Sequence, residues 1–241
     1  MKLHEIKLSP NVIAYDVTSE LGDMSLNNDD GLSNRLALAK LLNTDLNHMV
    51  APRQTHTTNF KEVYLKDGGS NMEVLEDKLV DIDATYTKDQ DLYLLSFHAD
   101  CTPVLLYDNN IVCAIHAGWL GTVNQIVSKV VKHLIINEGC NPKTMKAYIG
   151  PSISKDSFEV MQDVVDKVKK MDIKTDSYIF KTDDVHYHVD NKGLNKAQLL
   201  NLGLLEENIE VSDIDTMTSN DYFSYRRDHD SRRNITIIKR I

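Results

Sequence analysis

The sequence predicts an α+β fold, and three features of its 241 residues carry that expectation. Apolar, strand-like runs dominate the middle of the chain, between residues 92 and 115. Helical periodicity is interspersed among the strands without the regular βαβ alternation of a doubly wound sheet. No internal repeat, low-complexity tract or Pro/Gly-rich linker divides the chain, so residues 1–241 are expected to form one domain.

Taken in order, residues 34–42 (NRLALAKLL) read as a helix, with Ser33 or Asn34 available as its cap. Residues 62–65 and 92–97 read as strands, the second (LYLLSF) apolar enough to be buried. Strands over 104–107 and 111–115 flank a turn at Asp108-Asn109-Asn110. After Gly121 the period changes. Val123, Ile126, Val127, Val130, Val131, Leu134 and Ile135 recur at three- and four-residue steps, as in an amphipathic helix packed on a sheet and ended by Gly139. Weaker helical patterns run over 158–171 and 194–204, and strand-like segments over 178–180, 186–189 and 235–238 fill the C-terminal half.

A hydrophobic fraction of 41% and a charged fraction of 26% are those of an ordinary soluble globular protein. The net charge of −9 argues against a general nucleic-acid backbone binder, which needs clustered positive charge. The 27 Lys and Arg still allow a local cationic pocket. The N-terminal MKLHEIKLSPNVIAYDV has no uninterrupted apolar core, so no signal peptide is expected, and no apolar run approaches the roughly 20 residues of a membrane span. Cys101, Cys113 and Cys140 are an odd number without framework spacing. The expectation is a cytoplasmic, reduced protein with no membrane and no obligate protein partner. Cys113, inside the apolar run IVCAI, reads as a small buried hydrophobe.

The stretch HADCTPVLLYDNNIVCAIHAGWLG, residues 98–121, carries the candidate chemistry. Cys101 stands beside its first strand and His116 at the end of its second, so adjacent strands deliver two soft metal ligands to one place. His56, in RQTHTTNF, is a third candidate. Two imidazoles and a thiolate would leave one position of a tetrahedral zinc open, the arrangement of a catalytic site. Spacing alone leaves a second reading standing, in which Cys101 is a core thiol and the histidines are hydrogen-bonded fillers. Asp100 is a candidate acid beside Cys101. Strand alternation points it away from the metal ligands, as a structural carboxylate or one that orients a ligand.

The order of short motifs adds to this reading. SLN at Ser25 to Asn27, NR at Asn34-Arg35, Q-x-H at Gln54 to His56 and DAxxT at Asp83 to Thr87 come first. They are followed by ADCTPVLLYD at Ala99 to Asp108, HAGWLG at His116 to Gly121, IGPSI at Ile149 to Ile153, FEV at Phe158 to Val160 and FSYRRD at Phe223 to Asp228. In this set the chain resembles the YfiH/YlmD family of laccase-domain purine nucleoside phosphorylases, first labelled multicopper polyphenol oxidases. The match spans nearly the whole chain. The resemblance implies a single-domain α/β/β/α sandwich with mixed sheets and a zinc held by His56, Cys101 and His116, copper being the alternative metal. It implies phosphorolysis of adenosine, inosine, guanosine and methylthioadenosine, with adenosine deamination at the same site. Cys101 and His116 would then be the catalytic residues, and purine nucleosides and phosphate the partners.

Arg226 and Arg35 are the candidates for anion or ribose contacts, because Arg suits bidentate binding of phosphate, although a double Arg is also a common surface feature. Ser25 and Asn27 are candidates for hydrogen bonds to substrate, though both types also form turns. The chain departs from the family pattern at four places. Leu120 follows HAGW where Arg is usual, His98 precedes ADC where a small hydroxyl residue is usual, Met217 stands where a Cys-Thr pair is common, and Ser231-Arg232-Arg233 replaces Thr-Gly-Arg. Leu120 bears on substrate preference, since an apolar side chain cannot bind phosphate.

Three other functions compete with this one. Copper-dependent polyphenol oxidation needs many histidines, often as H-x-H, and the chain has nine His with one such pair, His186 and His188. A cysteine hydrolase or amidase would use Cys101 as nucleophile and His116 as base. A non-enzymatic binding module is favoured by Leu120 and opposed by the intact ligand set.

Overall fold

Two sheets stacked face to face dominate the computed structural model, which describes residues 2–26 and 29–241. In chain order the first elements are β1 (Leu3–Glu5), β2 (Val12–Val17), α1 (Asp29–Leu41), β3 (Met49–Val50), β4 (Phe60–Glu62), β5 (Ala84–Thr87) and β6 (Tyr93–His98). Next come β7 (Thr102–Asp108), β8 (Ile111–Ala117), α2 (Trp119–Val123), α3 (Ile126–Glu138), β9 (Lys146–Ile149), β10 (Glu159–Met161) and α4 (Gln162–Val168). The chain continues with β11 (Ile179–Lys181), β12 (His186–Val189), α5 (Asn191–Asn201), β13 (Ile209–Val211), α6 (Tyr225–Asp228) and β14 (Asn234–Arg240).

One sheet has the order β1-β2-β14-β6-β3 and the other β13-β9-β7-β8-β5-β4. Both are mixed: the pairs β3–β6, β4–β5 and β9–β13 are parallel among antiparallel neighbours. Alternation along the strands builds the layers. Ala14, Leu94 and Ile238 of the first sheet meet Leu105, Val112 and Ala114 of the second between the two. Their strand neighbours Leu95, Ile235 and Ile237 face outward under Leu38 and Ala39 of α1. On the far side, Val104, Leu106, Cys113 and Ile115 pack under Val127, Val130 and Leu134 of α3 and Leu199 of α5. The architecture is the expected α/β/β/α sandwich. Cover on both faces explains why β6, β7 and β8 are nearly unbroken apolar runs. The small antiparallel sheet β10-β12-β11 packs with α4 around Val160, Val165, Val168 and Val189.

Several elements differ from the sequence expectation. The strand expected over 62–65 is Phe60–Glu62, because Leu65–Asp67 form a 3-10 turn in which Asp67 Oδ2 accepts from Tyr64 N at 2.9 Å. The first helix begins at Asp29, which puts Ser33 and Asn34 inside it, and Asn34 Nδ2 donates to the Asp23 carbonyl at 2.8 Å instead of capping. The amphipathic run after Gly121 is two helices, α2 and α3, parted at Gln125, whose φ of 62° is left-handed. Gly139 ends α3 at φ 72°, a backbone that glycine adopts without a Cβ penalty. The helix expected over 158–171 is half strand: Glu159–Met161 pair with residues 186–188 before α4 begins. That pairing is non-local, and helical spacing cannot report it. Helix α5 starts three residues earlier than expected, at Asn191, where the Asp190 side chain accepts from Gly193 N.

Candidate metal centre

The β7–β8 hairpin pairs Pro103 with His116, which brings Cys101, just before β7, to the same end of the sheet as His116. His56 arrives from the segment between β3 and β4. The ligand atoms of His56, Cys101 and His116 all lie within 4.8 Å of one another, the one such group found among the described residues. Cys101 Sγ is 3.5 Å from His56 Nε2, and the two imidazoles stand edge to face with centroids 5.0 Å apart. A tetrahedral ion with ordinary zinc–sulfur and zinc–nitrogen bonds holds its S and N ligands about 3.6 Å apart. The donor set and its spacing therefore fit a zinc-type ion.

Asp83, immediately before β5, organises this centre and was not singled out from the sequence, although it opens the DAxxT motif. The carboxylate is buried and accepts five hydrogen bonds. Oδ1 takes His116 Nδ1 at 2.8 Å and His56 N at 3.0 Å. Oδ2 takes Thr57 N and Thr57 Oγ1, both at 2.7 Å, and Thr55 N at 3.3 Å. Bonding to the carboxylate keeps the His116 proton on Nδ1 and leaves Nε2 for a metal. The same carboxylate pins the loop on which His56 adopts a left-handed φ of 66°, uncommon for a residue with a Cβ.

The electrostatics follow from this packing. Desolvation pushes the Cys101 thiol up, but the adjoining His116 and His56 outweigh it and bring the thiol below its ordinary value. Desolvation pushes His116 down, yet Cys101 and Asp83 raise it overall. Gly118 has to be glycine here: a Cβ on it would lie 2.7 Å from His56 Cδ2 and 2.9 Å from Cys101 Sγ.

Two cavities open onto the centre and share His56, Ala99, Cys101 and Arg233. The polar lobe, about 380 Å³, also involves Ser25, Arg53, Gln54, His98, His116 and Ser231. The aromatic lobe, about 410 Å³, is walled by Trp119, Ile153, Phe158, Asn191, Tyr225 and Arg226. Arg53, Arg233 and the aromatic residues are thus site residues that sequence reasoning did not select, although Trp119 lies within the HAGW motif.

The structure distributes the other candidates unevenly. Ser25 faces the polar lobe with its hydroxyl donating to Asp23 Oδ2 at 2.7 Å. Asn27 lies outside the described residues. Arg35 is fully buried behind the wall, donating to the carbonyls of Met24, Ser25 and Met72, so it shapes the loop that presents Ser25. Arg226 reaches the aromatic lobe, where its guanidinium donates to the Glu159 carbonyl from Nη1 and Nη2, each at 3.2 Å, and lies over the Phe158 ring. Asp100 accepts from Thr216 Oγ1 at 2.6 Å and from Arg226 N at 2.8 Å, which ties the C-terminal segment to the site. Leu120 is half-buried and is not among the residues lining either lobe. His186 lies on β12, bonded to Asp183 at 2.8 Å, and neither it nor His188 belongs to the ligand cluster.

Comparison with known proteins agrees with this picture. The family model described as "Multi-copper polyphenol oxidoreductase laccase" matches residues 15–240. Purine nucleoside phosphorylase YlmD of Bacillus subtilis (strain 168) is 36% identical over 202 residues, covering 83% of this chain and 73% of the relative. Purine nucleoside phosphorylase YlmD of Staphylococcus aureus is 34% identical over 195 residues, covering 80% and 72%. Among solved structures, hypothetical protein YfiH of Bacillus licheniformis superposes with a TM-score of 0.95 at 28% identity, covering 100% of this chain and 97% of the other. YlmD from Geobacillus stearothermophilus gives 0.92 at 26% identity, covering 98% and 94%. With the motifs, the layered fold and the sequence match all running the length of the chain, it belongs to the laccase-like YfiH/YlmD family.

Proposed function

We propose that this chain is a purine nucleoside phosphorylase working at the His56–Cys101–His116 centre, with zinc as its metal. Its substrates are adenosine, inosine, guanosine and methylthioadenosine with inorganic phosphate, and adenosine is also deaminated in the same cavity. The observation that carries the proposal is a thiolate–bisimidazole cluster facing two adjoining cavities, in a chain whose curated relatives bear the phosphorylase name. Copper oxidation has the family model's description as its support, without a second cluster of ligands among the described residues.

The residues divide the work. Cys101 and the two histidines are the ligands, and Asp83 fixes the His116 tautomer and the His56 loop. A bound zinc would supply Lewis-acid polarisation at its open position. Ser25, whose hydroxyl donates to Asp23, stands on the wall of the polar lobe within the centre's cavity. Arg35 is a positioning residue acting through the Ser25 backbone.

Metal analysis of the purified protein beside a Cys101→Ala variant tests this, each incubated with adenosine and phosphate and the products separated by chromatography. The expected result is about one zinc per chain in the wild type, lost in the variant together with release of adenine and inosine. Metal-free wild-type protein without turnover would refute it. Activity that survives chelation but not alkylation of Cys101 would point to the thiol hydrolase instead.

A further inference from the structure

The two lobes differ in chemistry, and we propose that they divide the reactants. Inorganic phosphate binds in the polar lobe between Arg53 and Arg233, the purine stacks in the aromatic lobe on Trp119, Phe158 and Tyr225, and the ribose C1′ lies at the shared wall. This assignment deepens the phosphorylase reading and rests on it.

Charge argues for the anion side. In a chain of net charge −9, no carboxylate among the described residues lines the polar lobe, while two guanidiniums do. Arg233 is held through Nη1, which donates to the Arg232 carbonyl at 2.7 Å, and its Nε and Nη2 have no partner among the described residues. That leaves the side of the fork that suits two oxygens of one phosphate. Arg53 makes only long contacts, 3.4 Å to the Glu76 carbonyl and 3.7 Å to the exposed Asp77, so an anion can recruit it.

The aromatic lobe shares Arg233 but adds a carboxylate, Asp100, and no second uncommitted guanidinium. Both oxygens of Asp100 accept hydrogen bonds from the protein, and the Arg226 guanidinium is tied to the Glu159 carbonyl. Trp119, Phe158 and Tyr225 add aromatic surface on which a purine of any substitution can stack, with Lys167 Nζ 4.9 Å from the Trp119 centroid and the Arg226 guanidinium 5.7 Å from that of Phe158. Arg233 reaches both lobes, so exchanging the two reactants would leave the loosely held Arg53 facing a neutral base and set a dianion beside the Asp100 carboxylate and an Arg226 already bonded to a carbonyl.

Reaction geometry makes the same division. An oxygen of hydrogen phosphate forms a bond to C1′ while the C1′–N9 bond breaks and its electron pair leaves with the base. The proton that hydrogen phosphate gives up ends on that base, so atoms and charge balance. Nucleophile and leaving group occupy opposite sides of C1′, and two cavities that share His56, Ala99, Cys101 and Arg233 give them separate compartments.

The test is steady-state phosphorolysis by the zinc-loaded protein, varying nucleoside and phosphate separately, for Arg53→Gln, Arg233→Gln, Trp119→Ala and Tyr225→Ala. The arginine variants are expected to raise the KM for phosphate about tenfold or more, with nucleoside KM within about twofold, and Arg233→Lys should recover part of the loss. The aromatic variants should do the converse. Crossed effects, with arginine variants weakening nucleoside and aromatic variants weakening phosphate, would overturn the assignment. If the wild type turns over no nucleoside, the phosphorylase reading has failed. Calorimetric titration with inorganic phosphate and with adenine then decides the lobes: phosphate binding lost in Arg233→Gln and adenine binding lost in Trp119→Ala sustain them. Binding of neither probe to the wild type, or loss in the wrong variant, overturns them.

Discussion

Asp83→Asn keeps the shape of the side chain and removes one acceptor and the charge, so it isolates what the carboxylate does. Oδ1 serves two donors, His116 Nδ1 and His56 N, and Oδ2 serves three. Whichever oxygen the amide nitrogen replaces, at least two buried or half-buried donors face an NH2 group. If His116 shifts its proton to relieve the clash, the proton lands on Nε2, the nitrogen a metal needs. Losing one or two charge-assisted hydrogen bonds costs about 2–4 kcal/mol, and losing the partner that orients a ligating histidine weakens metal binding roughly 10- to 100-fold. Urea denaturation followed by circular dichroism reads the first quantity, and zinc competition against a chromophoric chelator reads the second. Zinc affinity within about twofold of the wild type, in a folded variant, would refute the claim that Asp83 sets the tautomer.

Two further substitutions probe other parts of the structure. Gly118→Ala puts a methyl group 2.7 Å from the His56 ring and 2.9 Å from Cys101 Sγ, so zinc affinity should fall by about tenfold or more, and an unchanged competition titration would show the centre is slacker than the geometry implies. Asp16, buried between Thr236 and Tyr148, is raised by burial from 3.8 to about 6. Its native pKa lies above its unfolded value, so the contribution to stability is full below about pH 4 and is lost as pH rises through 6, about 3 kcal/mol in all. Between pH 4.5 and 8 the wild type should therefore lose about 2 kcal/mol relative to Asp16→Asn in urea denaturation, and parallel pH profiles would contradict it.

The sequence by itself determined the parts whose signal is local. Cover on both faces writes β6, β7 and β8 as apolar runs, and one buried stripe writes α3 as a three-to-four repeat, so both were legible. The hairpin that carries Cys101 and His116 was legible for the same reason, because the turn and the two strands are contiguous. The ordered motifs carried the family, and through it the sandwich and the third candidate ligand, His56.

Tertiary structure decided what depends on residues far apart in the chain. His56 meets Cys101 because Asp83, 27 residues further on, holds its backbone in a left-handed turn that no spacing rule announces. The Glu159–Met161 strand exists because of a partner at His186–His188, and its own apolar spacing imitates a helix. Arg35 was drawn inward to three backbone carbonyls, while Arg53 and Arg233 line the cavity. Arginine looks the same in a sequence in either setting, because only the acceptors supplied by distant loops determine whether its guanidinium is consumed by the fold or left facing a ligand.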